Sequence, residues 1–235
     1  MSKRKQEIND NGHIIVKNNT NPGIKIGISG LGMYDKKFWL KHLIKLNPNI
    51  YTLYYDRLVK NLDFIIFDGG ADVYPTFYGE GIHPTTMSNI RRDSLEMFLF
   101  ARYFNTSTKY IGICRGHQLL NVFMRGSLNQ DLASINKPHK GFHSVVTTNS
   151  ILRKYVPNKF QVNSYHHQAV KEVAFGLMPT LFEPITNIVE GLEMNQDINF
   201  PNNLKDKIRT VQCHPEMNGF PEAESLMDYL FRLRG

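Results

Sequence analysis

Lys109-Tyr110-Ile111-Gly112-Ile113-Cys114-Arg115-Gly116-His117-Gln118-Leu119-Leu120 changes character abruptly at its middle. An apolar, β-type run from Tyr110 to Ile113 stops at Gly112-x-Cys114-x-Gly116, and a helix-type run from Gln118 to Met124 follows at once. Strand, sharp turn, helix is the cysteine counterpart of a nucleophile elbow, in which flanking glycines permit a strained turn that lifts the nucleophile out of the sheet. The sulfur then sits at a helix N-terminus, whose partial positive charge and free N–H groups favour a thiolate. A buried structural cysteine is the competing reading, because free cysteines are among the most buried residues.

The run Val211-Gln212-Cys213-His214-Pro215-Glu216 favours the elbow. A cysteine nucleophile needs a base, and the base needs a group that holds its tautomer and stabilises the imidazolium. His214 and Glu216 stand two apart at the end of the apolar run Ile208 to Val211. Strand-like pairing through them would send both side chains from one face. Pro215 fixes φ between them and ends sheet pairing.

Working outward, Ile24 to Ser29, Ile50 to Tyr55 and Leu62 to Phe67 read as buried strands, with a helix over Lys36 to Leu46. Asp68-Gly69-Gly70-Ala71-Asp72 follows the third strand and exposes N–H groups beside whatever the elbow faces, since ligands of open α/β sheets bind at the strands' carboxyl ends. Tyr74 to Asn89 is a long loop placed to cover that site, and Arg91 to Phe104 a helix whose Arg91-Arg92-Asp93 is a charge cluster at its start. Beyond the elbow, Ser144 to Thr148, Phe160 to Val162, Ile188 to Met194 and Arg209 to Cys213 are strands, and Pro221 to Leu233 is an amphipathic helix. The expected fold is α/β, a mostly parallel central sheet flanked by helices with an antiparallel extension at one edge.

A chain of 235 residues is read as a polar N-terminal extension, 1–22, followed by one catalytic domain, 23–235. The net charge is +7; residues 1–60 hold eleven Lys and Arg against four acids, and the remainder balances at seventeen of each. That excess suits a solvated helix and tail, or an anionic partner at the basic first quarter. With no apolar run able to span a bilayer and no signal-type segment, the expected location is cytoplasmic, away from membranes. Two cysteines make no disulfide framework. His139 and His143 stand four apart, but Gly141 lies between them and no further ligand set is near, so a surface loop is expected rather than a metal site.

Five segments in one order resemble a known family. They are Gly69-Gly-Ala-Asp-Val-Tyr-Pro-Thr-Phe-Tyr-Gly-Glu80, Gly112-Ile-Cys-Arg-Gly-His-Gln-Leu-Leu-Asn121, Gly126-Ser-Leu-Asn-Gln-Asp131, Val162-Asn-Ser-Tyr-His-His-Gln168 and Gln212-Cys-His-Pro-Glu216. Together they resemble the class I glutamine amidotransferase superfamily, of flavodoxin-like fold, and within it the γ-glutamyl-γ-aminobutyrate hydrolase branch of γ-glutamyl cysteine peptidases. The resemblance implies a triad of Cys114, His214 and Glu216, acting on a γ-glutamyl amide through a γ-glutamyl thioester. It implies an oxyanion hole from the N–H groups of Gly70 and Arg115, and substrate contacts from Gly69, Gln118, Ser164, Tyr165 and His166. It implies no metal and no organic cofactor. His166 and His167 would point to opposite faces of a strand, which leaves His166 as the pocket residue and His167 as structural. Asp68 departs from the family's usual Pro or Ser, putting a carboxylate beside the oxyanion loop. Cys213 stands where an aromatic residue is common.

The reading is thus a γ-glutamyl amide hydrolase acting on a small molecule. Its alternatives are a glutaminase that delivers ammonia to a separate synthetase partner, and a non-catalytic binding or regulatory protein. A second copy of the chain is a further partner admitted.

Overall fold

The computed structural model describes residues 5–8, 14–17, 23–32, 43, 46, 48–137 and 141–232. Its centre is parallel: β3 (Lys25–Ser29), β4 (Asn49–Leu53), β5 (Phe64–Phe67), β6 (Lys109–Ile113) and β13 (Ile208–Val211), in the order β4-β3-β5-β6-β13. Beyond β13 the sheet continues antiparallel through β12 (Val189–Met194), β11 (Leu177–Phe182), β8 (Gly141–Thr147) and β9 (Lys159–Ser164). At the other edge an antiparallel hairpin, β1 (Lys5–Ile8) and β2 (Ile14–Lys17), pairs with β4. Antiparallel strands therefore lie on both sides of the parallel core, not on one, because the polar N-terminal stretch itself contributes strands. A separate ladder joins β7 (Ser127–Asn129) to β10 (Ala169–Glu172).

Both faces of the parallel core are apolar, as strands covered on two sides require. Ile26, Ile28, Ile66, Ile111, Ile113 and Val211 share one cluster with Leu226, Met227 and Leu230 of α3 (Ala223–Phe231). Ile65, Phe67, Tyr110 and Ile208 share the other with Leu95 and Leu99 of α1 (Ile90–Tyr103) and Leu119 and Leu120 of α2 (Arg115–Phe123). The expected helix over Lys36 to Leu46 lies outside the described residues except Leu43, which is buried in the first cluster, and Leu46, which packs against it.

β11 was not expected, because Pro179 interrupts its apolar run. The strand tolerates that proline at a shift in register between Pro179 and Leu181. What matters for the site is the close approach of α2 to the sheet. A Cβ on Gly116 would lie 1.8 Å from the Phe67 carbonyl oxygen, and one on Gly112 would lie 2.5 Å from that of Gly116. The helix thus starts backbone against backbone on β5 and β6, and only glycine permits that. Because β5, β6 and β13 are parallel, the segments that follow them leave the same edge of the sheet.

Candidate active site

The elbow is real and strained. Cys114 holds φ 52° and ψ −106°, outside the regions that non-glycine residues ordinarily occupy. Its N–H donates to the Val211 carbonyl at 2.9 Å, and its own carbonyl accepts from His117 N–H at 3.1 Å and Gln118 N–H at 3.3 Å. The sulfur therefore stands at the head of α2, at the carboxyl end of β6, between β5 and β13. At Cys213, burial pushes the thiol well up, which keeps it protonated.

β13 stops at Val211, so His214 and Glu216 do not lie on a strand as expected. Pro215 instead opens a short 3-10 turn, Pro215–Met217, capped by His214. The turn brings His214 Nδ1 within 2.7 Å of Glu216 Oε1, and Glu216 is wholly buried. The neighbouring Cys114 side chain also bears on the imidazole, favouring its protonated form. Asn163, which the sequence reading passed over, fixes His214 from behind. The His214 N–H donates to Asn163 Oδ1 at 2.8 Å, and Asn163 Nδ2 donates to the His214 carbonyl at 3.1 Å. Only its place just before Ser164 could have pointed to it.

Burial pulls the His214 imidazole down, but the neighbouring Cys114 and Glu216 outweigh it and lift it to about 10. The imidazolium is therefore the form held at neutral pH, able to donate a proton. As pH rises through about 10 that proton is lost, so kcat/KM, which reports the free enzyme, is expected to fall on an alkaline limb there. Glu216→Gln removes one of the raising groups and should move the limb to lower pH; a pH–rate profile of both proteins checks it.

The loop after β5 carries Gly69, which is buried, and Gly70, which is exposed at φ 144°. Asp68, the unexpected carboxylate, is buried and ion-paired to Arg92, so its charge does not stand free at the loop. Arg92 and Asp93 do open α1, with Asn89 as N-cap, but they are buried rather than surface charges. Arg92 Nε donates to Glu96 Oε1 at 2.9 Å; Arg115, directly after Cys114, pairs with Glu96 and Asp93. Burial pushes the Asp93 carboxyl up against the pull of Arg115. Burial acts the same way on Glu96, yet Arg115 and Arg92 together hold it below its ordinary value.

Gln118 is buried in α2, with Nε2 donating to the Gln168 carbonyl at 2.8 Å and to Gln212 Oε1 at 3.1 Å. β9 ends at Ser164, so strand alternation does not govern the next residues. Tyr165, His166 and His167 all line one cavity of about 440 Å³ with Gly141 and Ser164. The exposed Tyr165 ring meets His214 edge-on, centroids 5.7 Å apart. His166 Nδ1 lies 2.9 Å from the Gln168 carbonyl, and His167 Nε2 lies 3.2 Å from Asp72 Oδ2. His143 belongs to β8 rather than a surface loop, while His139 lies outside the described residues. Among the described residues no group of three or more His, Cys, Asp or Glu is placed to hold a metal ion, and no helix is long and apolar enough to cross a membrane.

Comparison with known proteins adds to this geometry. Residues 44–216 match the Peptidase C26 family. Protein NtpR of Enterococcus hirae is 34% identical over 185 residues, covering 73% of this chain and 72% of that protein. The gamma-glutamyl-gamma-aminobutyrate hydrolase of Escherichia coli O157:H7 is 30% identical over 189 residues, covering 72% and 70%. Among solved structures, a glutamine amidotransferase from Thermotoga maritima superposes with a TM-score of 0.60 at 13% identity, over 83% of this chain and 76% of that one. That likeness concerns the fold.

Proposed function

The chain belongs to the peptidase C26 family, within the class I glutamine amidotransferase superfamily, and from that membership we propose that it is a cysteine-dependent hydrolase of γ-glutamyl amide bonds in small molecules. The observation that supports this reading is the His214–Glu216 hydrogen bond of 2.7 Å beside Cys114 on its strained turn, at the carboxyl edge of the parallel strands.

The Cys114 sulfur attacks the γ-carbonyl carbon, a C–S bond forms, and the carbonyl electron pair moves onto oxygen. The N–H groups of Gly70 and Arg115 receive that oxyanion. As the tetrahedral species collapses, the C–N bond breaks and the His214 imidazolium gives its proton to the leaving amine. The γ-glutamyl thioester remains. His214, now neutral, takes a proton from water, and the hydroxide oxygen adds to the thioester carbonyl. The C–S bond then breaks, glutamate leaves, and Cys114 returns to the thiolate. Glu216 accepts from Nδ1 throughout, holding the ring so that its other nitrogen faces the sulfur. The glutamyl end would lie against Gly69, Gln118, Ser164, Tyr165 and His166, the last three of which line the cavity of about 440 Å³.

Glutamate release from glutamine and from a series of γ-glutamyl amines tests the reading. Release from γ-glutamyl amines well above that from glutamine is expected. Weak release from glutamine alone, rising when a synthetase is added, would favour an ammonia-delivering subunit; no release from any of them would favour a binding protein.

A further inference from the structure

We propose that Arg92 is a positioning residue for the oxyanion hole, which aims and polarises the Gly70 N–H through the peptide that carries it. The inference rests on the γ-glutamyl reading above. Its starting point is a grip that charge neutralisation alone does not require. Besides its ion pairs with Asp68 and Glu96, the buried Arg92 guanidinium donates from Nη1 to the Gly69 carbonyl at 2.9 Å. From Nη2 it donates to the Asp68 carbonyl at 3.1 Å.

The Gly69 carbonyl and the Gly70 N–H belong to one rigid peptide plane and point in opposite directions. Holding the oxygen into α1 therefore aims the N–H away from α1. The hold is needed at this position. Gly70 sits at φ 144° and follows another glycine, so the backbone has little conformational preference of its own. A charged donor on the carbonyl also draws electron density from the amide and strengthens its N–H as a donor. The second donor of the hole is set from the same place. Arg115 pairs with Glu96, the carboxylate that Arg92 also holds, and with Asp93. Asp93 in turn accepts from the Tyr74 N–H at 2.9 Å, tying down the far end of the glycine loop. One turn of α1 thus fixes both donors relative to each other.

An oxyanion exists in the transition state and not in bound substrate, so losing this arrangement should lower kcat and leave KM. A purely structural staple would instead lower stability without that split. The test uses two variants of the full chain, studied below their unfolding midpoints. Arg92→Lys keeps the charge but lacks the planar fork that reaches both carbonyls. The double variant Arg92→Met/Asp68→Asn removes the grip while keeping the net charge of the network. For each, kcat and KM on a γ-glutamyl amide and the affinity for product glutamate are measured. Deleting an oxyanion donor outright costs about 10²- to 10³-fold, so misdirecting one is expected to cost about 10- to 100-fold in kcat, with KM and glutamate affinity within about twofold. Wild-type turnover with kcat retained in both variants, or with the loss appearing in KM instead, overturns the inference alone. Absence of wild-type turnover on every γ-glutamyl compound overturns the reading of the reaction, and the inference with it.

Discussion

Cys114→Ala is expected to lose glutamate release almost entirely while remaining folded. In hydrolases built on a nucleophile, a base and an orienting acid, removing the nucleophile costs about six orders of magnitude in kcat, leaving only what binding and the oxyanion donors provide. Here the loss should be complete by any routine assay of glutamate. The fold should survive because the substitution removes one sulfur and keeps Cβ. The strand, the helix and their glycine contacts do not depend on the thiol. Alanine keeps the strain as well, since φ 52° and ψ −106° are as unfavourable for it as for cysteine. Cys114→Gly relieves that strain and should melt above Cys114→Ala, at a difference of about 1–3 kcal/mol, less the entropy that glycine adds to the unfolded chain. Thermal unfolding of the two inactive proteins, side by side, reads how much strain the elbow stores.

Arg115→Met is expected to produce the largest loss of stability among single changes near the site. Arg115 is 2% exposed, and its partners Asp93 and Glu96 are 0% exposed. Methionine fills similar volume but leaves both carboxylates short of a counter-charge. Arg92 still reaches Glu96, so Asp93 bears most of the cost. Removing one partner of a buried pair typically costs about 3–5 kcal/mol. For a domain of this size that corresponds to a fall in Tm on the order of 10 °C. Because burial already pushes the Asp93 carboxyl up, the variant should take up a proton there as pH falls, and its deficit should shrink toward acid pH. Denaturant unfolding of both proteins across that range checks the prediction. A surface-like change, under about 0.5 kcal/mol, would mean that the network is not buried as described.

Much of this molecule was legible in the sequence because its signals are local. Short apolar runs of four or five residues gave the parallel strands, and the spacing Gly112-x-Cys114-x-Gly116 gave the turn. The Gly116 contact with Phe67 shows why no other residue would serve. His214 and Glu216 were legible as a pair, but the device joining them was not. A strand was expected, whereas Pro215 starts a 3-10 turn that reaches the same hydrogen bond by a different path. The charged network was hidden for a physical reason. Arg92 and Asp93 at the start of a helix look like surface charges. Only the fold reveals that Asp68 and Arg115, distant in sequence, converge on them and on Glu96, one turn further along the helix, and repay their burial. Asn163 and β11 were missed likewise, one acting through backbone contacts 51 residues away and the other broken by Pro179.

The most direct test of a nucleophilic Cys114 is to catch it acylated. The full-length protein is mixed with a γ-glutamyl amide, quenched in acid within the first turnovers, digested and analysed by mass spectrometry. A γ-glutamyl group bound to the peptide carrying Cys114, labile to hydroxylamine and absent from Cys114→Ala, is the predicted result. Continued glutamate release by Cys114→Ala, or an acyl group found on Cys213 instead, would contradict it.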